Sequence, residues 1–590
     1  MKQFFKFVLA TIVGVFVAGL VLVVVFVGII VAASSDKEVK IDDNSILTIS
    51  LKNAVPERTP NNPLANLSFL GFDEDKSLGL NDILASIKKA KDDKQIKGIY
   101  LADNLTLSGQ ATTQEIRNAL IDFKKSKKFI IAYAEVYTQS SYYLASVADK
   151  VYMNPKGIFD FAGMSQQITF FKGALDKLGV EAQIIKVGTY KSAVEPFILD
   201  KMSDANREQV TSYLGSLNNQ MLSGISNSRH INKDSLFNIA NNLKVRMPED
   251  AVTYKLIDGL KYKDEVLNEL KGLTKVDLKK NLHAVTIESY AQNDGDDESD
   301  GDKDTDNQIA MVYASGEING GNGDDNTIGS DRISATLRQA RLNDKVKAVV
   351  LRVNSPGGSS LASDVIWREV SLTKKVKPVI VSMGDYAASG GYYIACAADS
   401  IFAEPNTITG SIGIFAILPN MRGLLTGKLG LTFDGVKTGK YADLGDATRP
   451  LTPEERAILQ NQVNRGYGDF TGAVAAGRKK TTEYINSIGQ GRVWTGEQAI
   501  KIGLVDRLGN INDAVASAAK KAGLNKYKVV AYPEQKSFLK SLSNDMQSRV
   551  QTRLVKAELG ETYTYYQQLK TMQQMMHTPQ ARLPFFATMK

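Results

Sequence analysis

The sequence predicts an α/β protein built as a tandem duplication of one fold unit behind an N-terminal transmembrane helix. Three observations predict it: an uninterrupted apolar stretch near the start, an acidic run near the middle, and four ordered matches between the segments flanking that run. From Phe7 to Ala33 no residue is charged and nearly all are apolar, enough to cross ~30 Å of hydrocarbon as a slightly tilted helix. The only charges before it are Lys2, Lys6 and the amino terminus, so by the positive-inside tendency the chain after residue 34 is expected outside the cytoplasm. Val31-x-Ala33 resembles a signal-peptide cleavage site. The apolar stretch is nevertheless longer than an h-region of about 7–15 residues, which favours an uncleaved anchor over residues 1–34.

Asn293 to Asn307 reads NDGDDESDGDKDTDN, a self-repelling run with nothing to bury, and is expected to be a solvated linker. Asp296, Glu298, Asp300 and Gly301 are spaced somewhat like a calcium loop, but its twelfth position would be Asn307 rather than a bidentate glutamate. The linker, 291–307, separates a first repeat at 48–290 from a second at 308–533, followed by a tail at 534–590 expected to be helical around Gln567–Met576. Lys97-Gly-Ile-Tyr-Leu-Ala-Asp-Asn104 matches Lys347-Ala-Val-Val-Leu-Arg-Val-Asn354, and Tyr142-Tyr-Leu-Ala-Ser-Val-Ala-Asp149 matches Tyr392-Tyr-Ile-Ala-Cys-Ala-Ala-Asp399. Lys177-Leu-Gly179 matches Lys428-Leu-Gly430, and Gly188-Thr-Tyr-Lys191 matches Gly439-Lys-Tyr-Ala442. All four pairs are offset by 250 or 251 residues, the signature of a repeat. Within each half, β-branched runs such as Val349–Val353 and Pro378–Ser382 alternate with helical patterns such as Ala362–Leu372, which predicts helices on a mostly parallel sheet.

Composition removes several chemistries. One cysteine, Cys396, excludes a disulfide framework and a cysteine zinc cluster. The three histidines, His230, His283 and His577, lie in neither Gly-rich nor acidic contexts, which argues against a histidine metal site or a Ser-His-Asp triad. The net charge of +8 is spread among 64 acidic residues rather than gathered in a stripe, so nucleic acid is not an expected partner.

Loops at the carboxyl ends of parallel strands are where chemistry collects. In the second half one such strand runs into Ser355-Pro356-Gly357-Gly358, a turn that leaves amide N–H groups free to bind an oxyanion. The next ends in Asp385-Tyr-Ala-Ala-Ser389-Gly390-Gly391, which presents a hydroxyl at a turn just before a helix. Ser389 alone reads equally well as a helix cap; beside the Pro-Gly-Gly turn it reads as a nucleophile. With the histidines poorly placed, the candidate base is a lysine. An ordinary lysine, pKa ~10.4, is charged at neutral pH, so such a base must be buried or set beside another positive charge. In the first half the matching positions are Thr106-Leu107-Ser108 and Thr138-Gln139-Ser140-Ser141, without nucleophile context, yet that half carries Lys191 in an apolar, Pro-ended stretch where the second half has Ala442. Complementary loss predicts one composite site, with Ser389 from one copy and Lys191 from the other. Lys440, off register in the other copy, is the reserve base.

Taken together, Gly188-Thr-Tyr-Lys-Ser-Ala-Val-Glu-Pro-Phe197, Asn354-Ser-Pro-Gly-Gly358, Ala388-Ser-Gly-Gly-Tyr392 and Thr409-Gly-Ser-Ile-Gly413 resemble the signal peptide peptidase A (protease IV) family in its long, membrane-anchored form. The resemblance runs from the anchor to about residue 530. It implies a Clp protease/crotonase-like fold in each repeat and a Ser/Lys-dyad serine protease that degrades released signal peptides and other short apolar peptides. It implies that Ser389 attacks, Lys191 carries the proton, Ser411 orients the lysine, and the Gly358 and Gly390 N–H groups hold the oxyanion. It further implies a homotetramer on the outer face of the cytoplasmic membrane, held by lipid contact through residues 7–33, and no metal or organic cofactor. Two other readings use the same elements: a crotonase-like acyl-CoA enzyme, which would not need the Ser389 hydroxyl, and a catalytically inactive membrane scaffold, which predicts erosion of both dyad positions.

Overall fold

The structure is a computed structural model that describes residues 2–34, 41–60, 77–102, 108–292, 300–301, 305–535, 563, 570, 579–583 and 587–589. Lys2–Ser34 forms one continuous helix over the apolar stretch. Among the described residues no helix is long and apolar enough to cross a membrane. The side chains at positions 2, 5 and 20 and at 22–34 lie outside the described set, so the helix's backbone is given over its whole length and its apolar face only over the first part.

Two sheets repeat one plan. In the first, parallel strands run in the spatial order Gly259–Leu260, Lys150–Phe159, Phe129–Tyr137, Ile96–Ala102, Ser45–Ile49, Ala284–Thr286. In the second, Arg507–Leu508, Ser400–Ala403, Val379–Ala388, Val346–Ser355, Gln308–Ser315 and Lys528–Tyr532 follow in the corresponding order, again parallel. Strands buried on both faces read as continuous apolar runs, which is why Val346–Ser355 is covered along almost its whole length. The helix expected at Ala362–Leu372 spans Ser360–Lys374, with the Ser359 hydroxyl accepting from the Ala362 N–H at 3.3 Å.

The two halves share one interior. A single apolar cluster includes Ile99, Ile116 and Tyr142 of the first half with Met311, Val350 and Ile380 of the second. At its centre the fully buried Arg352 donates to Glu57 (2.8 Å) and Glu115 (2.6 Å), both from the first half. Asp385 of the second half accepts from the Ala111 and Thr112 N–H groups, each at 2.9 Å, and so caps the first-half helix Gln110–Phe123.

A third sheet crosses the boundary. Its order is Thr327–Gly329, Glu317–Asn319, Gly357–Ser359, Gln580–Arg582, Ile414–Asn420, Glu181–Val187, the last contributed by the first half. That last strand pairs antiparallel with Ile414–Asn420 over its whole length, Val187 opposite Ile414.

Two expectations need correction. The acidic run is not wholly unpaired: Asp300–Gly301 forms a two-residue strand against Lys528 and Val529, because the outer edge of Lys528–Tyr532 offers free backbone groups. The tail is not simply helical. Among its described residues, positions 563 and 570 are helical, whereas Gln580–Arg582 and Ala587–Met589 are strands. Pairing with remote segments fixes those strands, and local periodicity does not report it. Most of Gln567–Met576, most of Asn293–Asn307, and Thr106-Leu107 lie outside the described residues.

Candidate active site

Lys191 follows the strand Glu181–Val187, and the antiparallel pairing of that strand carries it to the segment just before Ile414. Gly188, at φ +109, makes the turn; a Cβ there would stand 2.5 Å from the Gln490 carbonyl oxygen, so only glycine lets the two backbones meet. Tyr190 N–H then donates to that same carbonyl at 2.8 Å. Gln209 braces the loop by donating to the Tyr190 carbonyl (3.0 Å) and the Ser192 hydroxyl (2.9 Å). The buried Glu195 carboxylate accepts from Ser203 (2.6 Å) and Asn206 (2.8 Å).

Ser389 comes from the other side. The strand Val379–Ala388 pairs with Val346–Ser355 up to Ala387 opposite Ser355 and, at its carboxyl end, with Ile408–Gly410 on its other side, and Ser389 N–H donates to the Gly410 carbonyl at 2.8 Å. The chain then reverses into the short helix Gly390–Ala395. Ser389 stands at φ 56, ψ −116, and Ser411 at φ 51; both are strained conformations for residues with a side chain.

The two arms meet. Lys191 Nζ lies 2.8 Å from Ser389 Oγ, 3.1 Å from Ser411 Oγ and 3.2 Å from the Ser411 carbonyl oxygen. Lys191 is 1% exposed and Ser389 0%. Burial holds the Lys191 amine well below the ordinary lysine range, because a desolvated ammonium is costly. Gly413 and Gly491 line its stem: a Cβ at Gly413 would stand 3.2 Å from Lys191 Cδ, and one at Gly491 2.7 Å from Lys191 Cβ. An uncharged amine so placed can take the hydroxyl proton and return it to a leaving group.

Gly358 and Gly390 converge beside the hydroxyl. A Cβ on Gly390 would stand 3.2 Å from the Gly358 nitrogen, and one on Gly357, at φ +102, would stand 2.9 Å from the Gly390 nitrogen. The two N–H groups therefore border one small space, the arrangement that stabilises an oxyanion.

Lys440 is elsewhere. Its side chain is 66% exposed and ion-paired with Glu454, which holds its amine above the ordinary value, so it is no base for Ser389. His230 ends the helix Asp204–Arg229 and His283 contacts the Asp43 carbonyl at 3.1 Å, both away from the dyad; His577 lies outside the described residues. Cys396 is buried, its Sγ 3.2 Å from the Tyr393 carbonyl, and burial pushes its thiol up to about 12. Gln209 and Gly491 carry no local signal in the sequence; their roles arise only from the folded contact with the lysine loop.

The sequence profile of Peptidase family S49 matches residues 122–277 and 371–525, and that of Clp protease matches residues 301–409. The chain is 39% identical to "Protease 4" of Salmonella typhi over 490 residues, covering 81% of this chain and 78% of the relative. It is 32% identical to "Serine protease SPPA, chloroplastic" of Arabidopsis thaliana, covering 84% of this chain and 72% of the relative. A shorter relative, "Putative signal peptide peptidase SppA" of Enterococcus faecium, is 38% identical over 33% of this chain and 57% of its own length. With the S49 profile occupying parts of both halves and long relatives aligned over about four-fifths of the sequence, this chain belongs to peptidase family S49.

Proposed function

We propose that the chain is a membrane-anchored serine endopeptidase with Ser389 as nucleophile and Lys191 as general base and acid. The observation that carries the reading is the 2.8 Å contact between a buried amine and a hydroxyl 198 residues away in the other half. In the first step Ser389 Oγ attacks the peptide carbonyl carbon as Lys191 takes its proton. The Gly358 and Gly390 N–H groups stabilise the oxyanion, and Lys191 passes the proton to the departing amine. Water then attacks the acyl ester, giving its proton to Lys191 and so back to Ser389. Ser411 orients the lysine through its hydroxyl and carbonyl oxygens.

The first repeat, 48–290, supplies the base and the second, 308–533, the nucleophile. Substrates are short, apolar, unfolded peptides, released signal peptides among them. The burial of both dyad members supports this, since only an extended segment threads to them, and so does the name of the shorter relative. Residues 7–33 hold the body to the outer face of the cytoplasmic membrane, where four copies assemble; the continuous helix Lys2–Ser34 is consistent with the anchor. The purified full chain, incubated with a synthetic apolar signal peptide and followed by mass spectrometry, should cut it, and Ser389→Ala should not. Equal cutting by Ser389→Ala would overturn the assignment.

A further inference from the structure

The strand that leads to Ser389 is irregular. Val379–Ala388 keeps register with Val346–Ser355 as far as Met383 opposite Val353, and resumes it with Ala387 opposite Ser355. Gly384, Asp385 and Tyr386 therefore stand against Asn354 alone, a bulge with two extra residues that ends just before the nucleophile. A bulge beside an active site bends its strand and re-aims the side chains that follow.

Each residue of the bulge is held from outside its own strand. A Cβ on Gly384 would stand 2.6 Å from Glu57 Oε1, so only glycine lets that first-half carboxylate lie against it. Tyr386 N–H donates to Asn354 Oδ1 at 3.1 Å, and Asn354 Nδ2 donates to the same Glu57 oxygen at 2.7 Å. Asp385 reaches furthest. Its Oδ1 accepts from the Ala111 and Thr112 N–H groups, each at 2.9 Å, and its Oδ2 accepts from the Thr112 hydroxyl at 2.7 Å. The helix they begin, Gln110–Phe123, has no cap from its own segment: Gly109 holds the N-cap position, where a Cβ would stand 2.2 Å from Asp385 Cγ. At the 250-residue offset of the repeat, Gly109 matches Ser359, which caps its own helix, and Asp385 matches Glu135, which is exposed. The copies have made a second complementary exchange. One gave up a cap, and the other supplies it from the strand that carries the nucleophile.

Resting on the protease reading above, we propose that Asp385 is a positioning residue for the reaction: by fastening the bulge to the first-half helix, it fixes where Ser389 Oγ points relative to Lys191. The base arrives with the first half, so the nucleophile must be referred to that half as well, and the Asp385 contacts do this four residues before Ser389. Ser389 has φ 56, a conformation that persists only where the surroundings over-determine it. The tether is one of those surroundings. It touches neither the hydroxyl nor the amine, and so acts on turnover through the aim of Ser389 and not through substrate affinity.

The test compares kcat and KM for a fluorogenic apolar peptide, with urea unfolding in parallel, in the full chain and three variants. In Asp385→Ala, kcat per folded chain should fall about 10²-fold with KM held within about threefold, as a misplacement of ~1 Å does. Asp385→Asn keeps an oxygen for the two N–H groups and turns an NH2 to the Thr112 hydroxyl oxygen, so it should stay within about fivefold of wild type. Adding Gly109→Ser to Asp385→Ala gives the helix a cap of its own, as Ser359 does in the other half, but no tether to the bulge. That double variant should regain the urea midpoint and keep the low kcat; if Asp385→Ala alone does not fold, it carries the same comparison. Asp385→Ala turning over within about threefold of wild type, or a loss confined to KM, overturns the positioning role. A double variant that regains kcat together with its midpoint makes Asp385 a helix cap only, and Asp385→Asn as slow as Asp385→Ala overturns the hydrogen-bonded tether. All of these leave the protease reading intact. A wild-type chain that does not cut the peptide overturns that reading itself.

Discussion

Gly390→Ala places one methyl group in the space where the oxyanion is expected. Gly390 is the first residue of the helix Gly390–Ala395, a position alanine adopts without backbone strain, so the effect comes from the methyl itself. That methyl would stand 2.6 Å from Ser363 Oγ, 3.1 Å from the carbonyl oxygen seated beside Gly390, and 3.2 Å from the Gly358 nitrogen. The Ser363 hydroxyl can turn away; the carbonyl oxygen and the nitrogen belong to backbone that cannot. A substrate carbonyl is therefore pushed out of reach of at least one donor, and losing one such donor costs about 2.7–4 kcal/mol, or ~10²–10³ in kcat. Steady-state hydrolysis of a fluorogenic apolar peptide, with urea unfolding run in parallel, reads both quantities. The expected result is a kcat lower by about 10²–10³ with stability lowered by no more than the ~1–3 kcal/mol of ordinary overpacking. Gly472→Ala is the control. No atom lies within 4 Å of a Cβ there, so it should gain about 0.5–1 kcal/mol of stability and leave turnover unchanged. A Gly390→Ala chain that is folded and turns over within about threefold of wild type, less than ~1 kcal/mol, would refute the placement of the oxyanion.

Other parts of the structure make separate predictions. Ser411→Ala removes the hydroxyl 3.1 Å from Lys191 Nζ but leaves the Ser411 carbonyl at 3.2 Å; the loss of one hydrogen bond, about 0.5–1.5 kcal/mol, should lower kcat about 3–10-fold with KM unchanged in peptide hydrolysis. Arg352→Met strands the buried carboxylates of Glu57 and Glu115 without their partner, and urea unfolding should show a loss of about 3–5 kcal/mol. Glu404 is pushed up to about 8 by burial, then by the nearby Glu115, from an ordinary value of 4.5, so the folded chain binds an extra proton between those values. Stability should therefore fall as pH rises through that window, and Glu404→Gln should make this slope shallower in unfolding curves taken at several pH values, the rest coming from Glu115 and Asp385, which burial also raises.

The sequence made the chemistry legible where a residue type is itself demanding. Ser389 and Lys191 could be named because a hydroxyl at a strand-to-helix turn beside a Pro-Gly-Gly turn, and an amine in an apolar stretch of the other copy, together point to one composite site; Ser411, which by itself reads as a turn residue, and the roles of Gly358 and Gly390 came only through the family resemblance. The repeat was legible for a different reason: its sheet order is dictated by apolar strands buried on both faces, and such runs diverge within a narrow choice of side chains. Lys440 misleads because only two residues of register separate it from Ala442, the lysine's counterpart, and register alone does not say which amine is desolvated. The tail strand Gln580–Arg582 is invisible locally, since three residues carry no periodicity and its partners lie 223 and 165 residues upstream, taking Ala581 to Gly358 opposite it and Gln580 to Phe415. Gln209 and Gly491 are silent in the same way: what makes them matter is where Lys191 comes to rest.

The central claim is that one repeat supplies an uncharged amine to the alcohol of the other. The rate at which Ser389 is acylated by a fluorophosphonate, measured against pH in wild type and in Lys191→Ala, tests it most directly. Because burial lowers the lysine's pKa, the wild-type rate should rise with pH to a plateau reached well below the ordinary lysine range, and Lys191→Ala should lose both the rise and most of the rate. Acylation of Lys191→Ala at the wild-type rate, or a wild-type profile that climbs only through the ordinary lysine range, would contradict it.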